Sequence, residues 1–138
     1  MSNKSELVKI FEGAAREAGK LIKKEFGKVT ESKIQSKDLG DFVTNTDLET
    51  ENILLNILKK NFPNSSYLTE ESDPFKGNDE TIVIDPIDGT SNFIHGIPSI
   101  GIVIARVNKE EITDGIIFNP VSDELFFATK DKGAWCNN

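Results

Sequence analysis

The sequence holds a single cysteine, so no disulfide can form within the chain, and the fold rests on packing in what reads as a reducing compartment. It lacks any apolar run long enough to cross a bilayer. Met1-Ser2-Asn3-Lys4 leads straight into a charged amphipathic pattern, without the apolar core of a signal peptide. A cytoplasmic protein with no membrane contact is the expectation. Basic charge is scarce as well: 16 Lys and Arg stand against 23 Asp and Glu, a net charge of −7, and the lysines are scattered. Direct nucleic-acid binding is therefore not expected. Internal repeats and low-complexity segments are missing too.

What remains suffices for one globular domain with a real core, since the 138 residues are 37% hydrophobic and 28% charged. From Glu6 to Phe26, apolar residues recur at Leu7, Ile10, Phe11, Ala14, Ala18, Leu21, Ile22 and Phe26, the spacing of one helix face. Asn3 with Glu6 resembles a capping box, and Gly27 is placed to end the helix. Residues 28–43 are polar and glycine-containing, with a short alternation from Val29 to Ile34, which predicts a hairpin or mobile loop. Lys33 and Lys37 in it are read as solvated loop charges, though a lysine at a site mouth could approach a phosphate.

Three acidic motifs follow. In Asp41-Phe42-Val43-Thr44-Asn45-Thr46-Asp47, Thr46 and Glu49 form a second capping-box pattern. That predicts a helix with Asp47 in its first turn, carrying Leu48, Ile53, Leu54, Ile57 and Leu58 and stopping before Pro63. Tyr67-Leu68-Thr69 reads as a short strand that leaves Glu70 and Glu71 at its end. The third motif, Asp85-Pro86-Ile87-Asp88-Gly89-Thr90, closes the apolar run Thr81-Ile82-Val83-Ile84. A tight connection there can turn the Asp85 and Asp88 carboxylates and the Ile87 carbonyl toward one point, an all-oxygen set that suits magnesium. Gly89 lets the backbone approach a ligand, and the N–H groups of Gly89, Thr90 and Ser91 would open a short helix toward an anion. The competing reading is ordinary turn chemistry, since Asp, Pro and Gly each favour turns. A phosphate-bearing substrate would be repelled by so many carboxylates unless a cation reversed the local sign.

Beyond this loop, segments 97–107, 111–119 and 124–129 are rich in β-branched and aromatic residues, and Gly133-Ala134-Trp135-Cys136 looks like one more strand. Their spacing predicts an antiparallel meander. The fold class is therefore α+β, with two N-terminal helices packed on a mostly antiparallel sheet. His95 has no evident base or orienting partner and is read as a packed or solvated side chain.

Taken together, Asp41-x-Val-Thr-x-x-Asp47, Glu70-Glu71 and Asp85-Pro-Ile-Asp-Gly-Thr90 resemble the inositol monophosphatase family, nearest its bacterial SuhB-type members. Ser91-Asn92-Phe93, Asn119-Pro120, Glu124-Leu125-Phe126 and Gly133-Ala134 fit the same pattern, so the likeness runs over nearly the whole chain. The resemblance implies the first lobe of a layered αβαβα fold and a magnesium-dependent, lithium-sensitive hydrolysis of a phosphate monoester, with an inositol monophosphate leading. It implies two or three magnesium ions, the first held by Glu70, Asp85 and the Ile87 carbonyl and the second by Asp85 and Asp88. Catalytic roles fall on Glu70, Asp47 and Thr90, the last two positioning the attacking water. Ile87, Asp88 and the amides of Gly89 and Thr90 would meet the substrate.

The family's second lobe supplies a further aspartate in a Trp-Asp-x-x-Ala-Gly motif, and nothing in these residues matches it: the only tryptophan, Trp135, precedes Cys136. The expectation is an N-terminal metal-binding lobe over residues 1–138 without the C-terminal lobe, whose apolar sheet surface favours a homodimer. Relatives with these motifs also act on fructose bisphosphate, adenosine bisphosphate, NADP or histidinol phosphate. The alternative from another class is a regulatory protein that keeps the fold and acts by binding a partner, for example in bacterial transcription complexes. A calcium protein is disfavoured, because the motifs lie far apart.

Overall fold

Ser5 starts the first helix: its hydroxyl accepts from the Val8 N–H at 3.1 Å, satisfying one of the donors that a helix leaves open. The computed structural model describes residues 2–28, 36–70 and 72–138, with the backbone course alone over 36–44. Helix α1 runs Glu6–Glu25 and ends where the Phe26 N–H bonds the Ile22 carbonyl, with Gly27 beyond it at φ +75°. The expected Asn3–Glu6 capping box is replaced by Ser5, whose short side chain stands immediately before the first helical residue. Asn3 instead donates to the Asn138 carbonyl at 3.0 Å. Val8, Phe11, Ala14, Ala15, Ala18 and Ile22 form the buried face.

The second helix differs from expectation. Helix α2 spans Ser36–Asn61, so residues 36–43 are helical, and Asp47 lies well inside the helix, away from its first turn. The alternation at 29–34, with Lys33, falls outside the described residues, as do the side chains of Lys37 and Asp41. Thr46-x-x-Glu49 has the letters of a cap, but no proline stands between Ser36 and Pro63 to interrupt the helix. Extending an existing helix adds one hydrogen bond per residue, whereas a fresh start needs a costly nucleus. The macrodipole acts within the first turn, so it gives Asp47 no support.

Among the described residues six strands make one sheet in sequence order: β1 (Ser66–Thr69), β2 (Glu80–Asp88), β3 (Gly101–Asn108), β4 (Glu111–Asn119), β5 (Glu124–Thr129) and β6 (Gly133–Cys136). β1 and β2 are parallel and every other pair is antiparallel. A short helix, α3 (Thr90–His95), connects β2 to β3. The α+β fold expected from the sequence is thus present. Alternation puts Ile82, Ile84, Ile102, Ile104, Ile116 and Phe118 on the face under α1 and α2, where all are buried. The opposite face carries Ile112, Ile117 and Phe126, which are exposed beside Val103, Ala105 and Ala128 in an open apolar groove.

Helix α1 meets β4 closely at Gly19, where an added Cβ would lie 2.9 Å from the Phe118 ring and 3.0 Å from Pro120. Gly19→Val is therefore expected to wedge helix from sheet and destabilise the fold by about 1–3 kcal/mol in urea unfolding. An unchanged midpoint would show that α1 can lift without penalty.

Candidate metal and phosphate site

The parallel register brings two of the acidic motifs together. Thr69 of β1 pairs with Ile84 of β2, so Glu70, the first residue after β1, comes beside Asp85, which is still within β2. The third motif is not the tight turn expected from its composition. β2 continues through it to Asp88, and the pairing passes from Asp85↔Val103 to Asp88↔Gly101. Three steps on β2 thus match two on β3. This is a β-bulge, which accommodates Pro86 because a bulged position needs no ladder donor. The bulge buries Ile87 and leaves Asp88 exposed.

Gly89 follows at φ +88°, a left-handed conformation that favours glycine, and begins α3. A Cβ there would stand 2.9 Å from the Ser99 carbonyl. That carbonyl is held in place, since Asn92 donates to it at 2.7 Å while Asn119 donates to the Pro98 carbonyl at 2.8 Å. The short helix expected after Gly89 is present, with the Phe93 N–H bonded to the Gly89 carbonyl at 3.0 Å. Thr90 Oγ1 donates to the Ile87 carbonyl at 3.3 Å. His95 is exposed at the end of α3, with Nδ1 2.7 Å from the Ser91 carbonyl one turn back, in keeping with a solvated side chain.

Asp85 is the strained member of the group. Its Oδ1 is buried and has no hydrogen-bond partner. Burial first, then the hydrogen-bonded Glu70 carboxyl and the charge of Asp88, push its pKa up to about 6, against the pull of the Ile87 backbone. The donor set suits a hard cation: carboxylate oxygens in mutual repulsion and a buried lone pair that no proton donor meets. Among the described residues no three His, Cys, Asp or Glu side chains come together as a group that could hold a metal ion. Glu70 and Asp88 each face Asp85 as a pair with it; Glu71 lies outside the described residues.

Helix α2 adds a polar stripe. Asp47, Glu51, Leu54 and Leu58 recur at i, i+4, i+7 and i+11, all buried, so the core-facing apolar row ends in two carboxylates. Glu51 accepts a hydrogen bond from Ser72 Oγ. Glu51 is not singled out by the sequence; Ser72 enters only as part of the Thr69-Glu70-Glu71-Ser72 pattern that carries the resemblance. The signal for Glu51 was available, because an acid stood in register with the apolar row of its own helix.

Residues 3–138 match the inositol monophosphatase family, and the chain belongs to it. It is 40% identical over 125 residues to an inositol-1-monophosphatase of Caulobacter vibrioides, covering 88% of this chain and 49% of that protein. It is 37% identical over 126 residues to the Nus factor SuhB of Escherichia coli K12, covering 90% and 47% respectively. In structure it resembles the extragenic suppressor protein suhB of Bartonella henselae with a TM-score of 0.84 and 34% identity, over 97% of this chain and 52% of that one. The chain spans about half the length of the curated relatives it matches.

A folded-state pKa near 6 for Asp85, against 3.8 for the ordinary group, means that in this window the folded protein binds more protons than the unfolded one. This residue's contribution to stability therefore falls as pH rises from about 4 to 6 and is flat above. In chelator, wild-type melting temperature is expected to decline across that window relative to Asp85→Asn. Parallel curves for the two proteins would place Asp85 in an ordinary solvated setting.

Proposed function

We propose that the acidic end of the sheet binds magnesium and serves the hydrolysis of a phosphate monoester, with an inositol monophosphate as the leading substrate. The observation that carries this reading is Asp85: a buried carboxylate oxygen without a hydrogen bond, pressed by Glu70 and Asp88 and followed directly by the Gly89 opening of α3. Glu70, Asp85 and the Ile87 carbonyl are the ligands for one ion, and Asp85 with Asp88 for a second. Magnesium at such a site lowers the pKa of water and clamps phosphoryl oxygens. The resemblance assigns the second ion one carboxylate more than these residues supply.

The protein's own groups take the remaining tasks. A threonine hydroxyl can accept from water while donating to another oxygen, which suits Thr90 to orient the nucleophile. Asp47, buried on α2, is its acidic partner in deprotonating that water. The amides of Gly89 and Thr90 face the phosphate, and the missing Cβ at Gly89 lets the chain turn into α3 against the Ser99 carbonyl. The relatives named inositol-1-monophosphatase support the choice of substrate.

A second reading, a partner-binding regulatory role, draws on the exposed apolar sheet face at Ile112, Ile117 and Phe126 and on the relatives named Nus factor SuhB. The same face is where a homodimer would form.

Asp85→Asn separates the two. Wild-type protein is expected to release phosphate from inositol 1-phosphate only with magnesium and to be inhibited by lithium, and the variant to lose roughly 100-fold or more, beyond the usual cost of an outer-shell change. If no divalent cation supports release, and calorimetry detects no magnesium uptake, the hydrolase reading fails for this chain. Partner binding that survives Asp85→Asn then carries the alternative.

A further inference from the structure

We propose that Glu51 is a positioning residue: through the Ser72 hydroxyl, its buried carboxylate fixes the turn that carries Glu70 against Asp85. This rests on the magnesium reading of the acidic site. Glu51 is fully buried on the core-facing row of α2. Burying a carboxylate is expensive unless donors meet it, and Ser72 Oγ is one that does. A charge-assisted bond of this kind is roughly twice as strong as a neutral one.

Ser72 is itself locked to the end of β1. Its N–H donates to Thr69 Oγ1 at 3.2 Å, and that hydroxyl donates onward to the Ser72 carbonyl at 3.3 Å. Thr69 is fixed in turn by its register with Ile84. Glu70 therefore follows a strand end held on one side by the sheet and on the other, through Ser72, by α2. Asp47 sits one turn before Glu51 on the same helix. One rigid element thus sets both the Asp47 carboxylate and, through Ser72, the Glu70 carboxylate relative to Asp85. Losing the latch leaves strand and core intact but frees Glu70 from its fixed place beside Asp85.

The test compares wild type, Ser72→Ala, Ser72→Thr and Glu51→Gln by magnesium titration calorimetry and by amide hydrogen exchange at Glu70 in chelator. Ser72→Ala is expected to weaken magnesium binding by about 10-fold, within the range for outer-shell partners, and to speed Glu70 exchange. Ser72→Thr restores both, because the hydroxyl returns. Glu51→Gln keeps an acceptor oxygen and folds without an unpaired charge, giving an intermediate loss. Wild-type affinity and exchange in Ser72→Ala overturn the latch while leaving the magnesium reading in place. No magnesium uptake by wild type overturns the magnesium reading, and exchange at Glu70 then shows separately whether the latch holds the turn.

Discussion

Carboxylates repel, and this fold holds several of them at one end of a sheet. Asp85 shows the consequence most directly, with a pKa pushed up by burial and by Glu70 and Asp88. In water such groups would drift apart, since like charges a few ångströms apart cost about 1 kcal/mol even at high dielectric and several times that near a protein surface. Here each is fixed through the backbone that carries it: Glu70 by parallel register, Asp88 by a bulge. The arrangement makes physical sense if something positive shares the space.

The parallel pair is the device that makes the gathering possible. Antiparallel neighbours place the end of one strand beside the start of the next. Among the described residues only β1 and β2 run the same way, so β1 ends beside Asp85, where β2 enters its bulge, at the end of the pair where ligands commonly sit in parallel arrangements. The bulge then spends one residue of β2 to bury Ile87 and leave Asp88 exposed, and Gly89 turns the chain into α3 within hydrogen-bonded confines.

How much of this was legible in the sequence depends on the range of the interaction. α1 and the meander announce themselves through short periods, and their positions agree with the structure to within a few residues. The acidic motifs were legible because Asp-Pro-Ile-Asp-Gly-Thr is a dense local pattern. Local signals misled where two of them agreed by coincidence: Thr46 and Glu49 spell a cap, yet the helix runs through them because nothing before Pro63 breaks it. The bulge was not legible, since whether Pro86 sits in a turn or a strand is decided by β3, which lies beyond α3 in sequence. Ser72 could not be connected with Glu51 for the same reason: their contact joins a helix to a turn 21 residues away.

The two faces of the sheet divide the demands on the fold. The face under α1 and α2 holds the packed core, and Gly19 against Phe118 shows how little slack it has. That packing fixes where α2 lies on β2, and so where Asp47 and Glu51 stand relative to Asp85. Among the described residues the other face reaches the acidic end only through Val103, which pairs with Asp85, and Ile117, which pairs with Val103 and lies against Gly101, the partner of Asp88; Ile112 and Phe126 pair with none of these acidic residues. Whatever lies against it bears on association and solubility; the mutual placement of Glu70, Asp85 and Asp88 is set by the sheet itself. Changes at Ile112 or Phe126 and changes at the acidic end should therefore be separable, because residues with no shared partners contribute nearly additively.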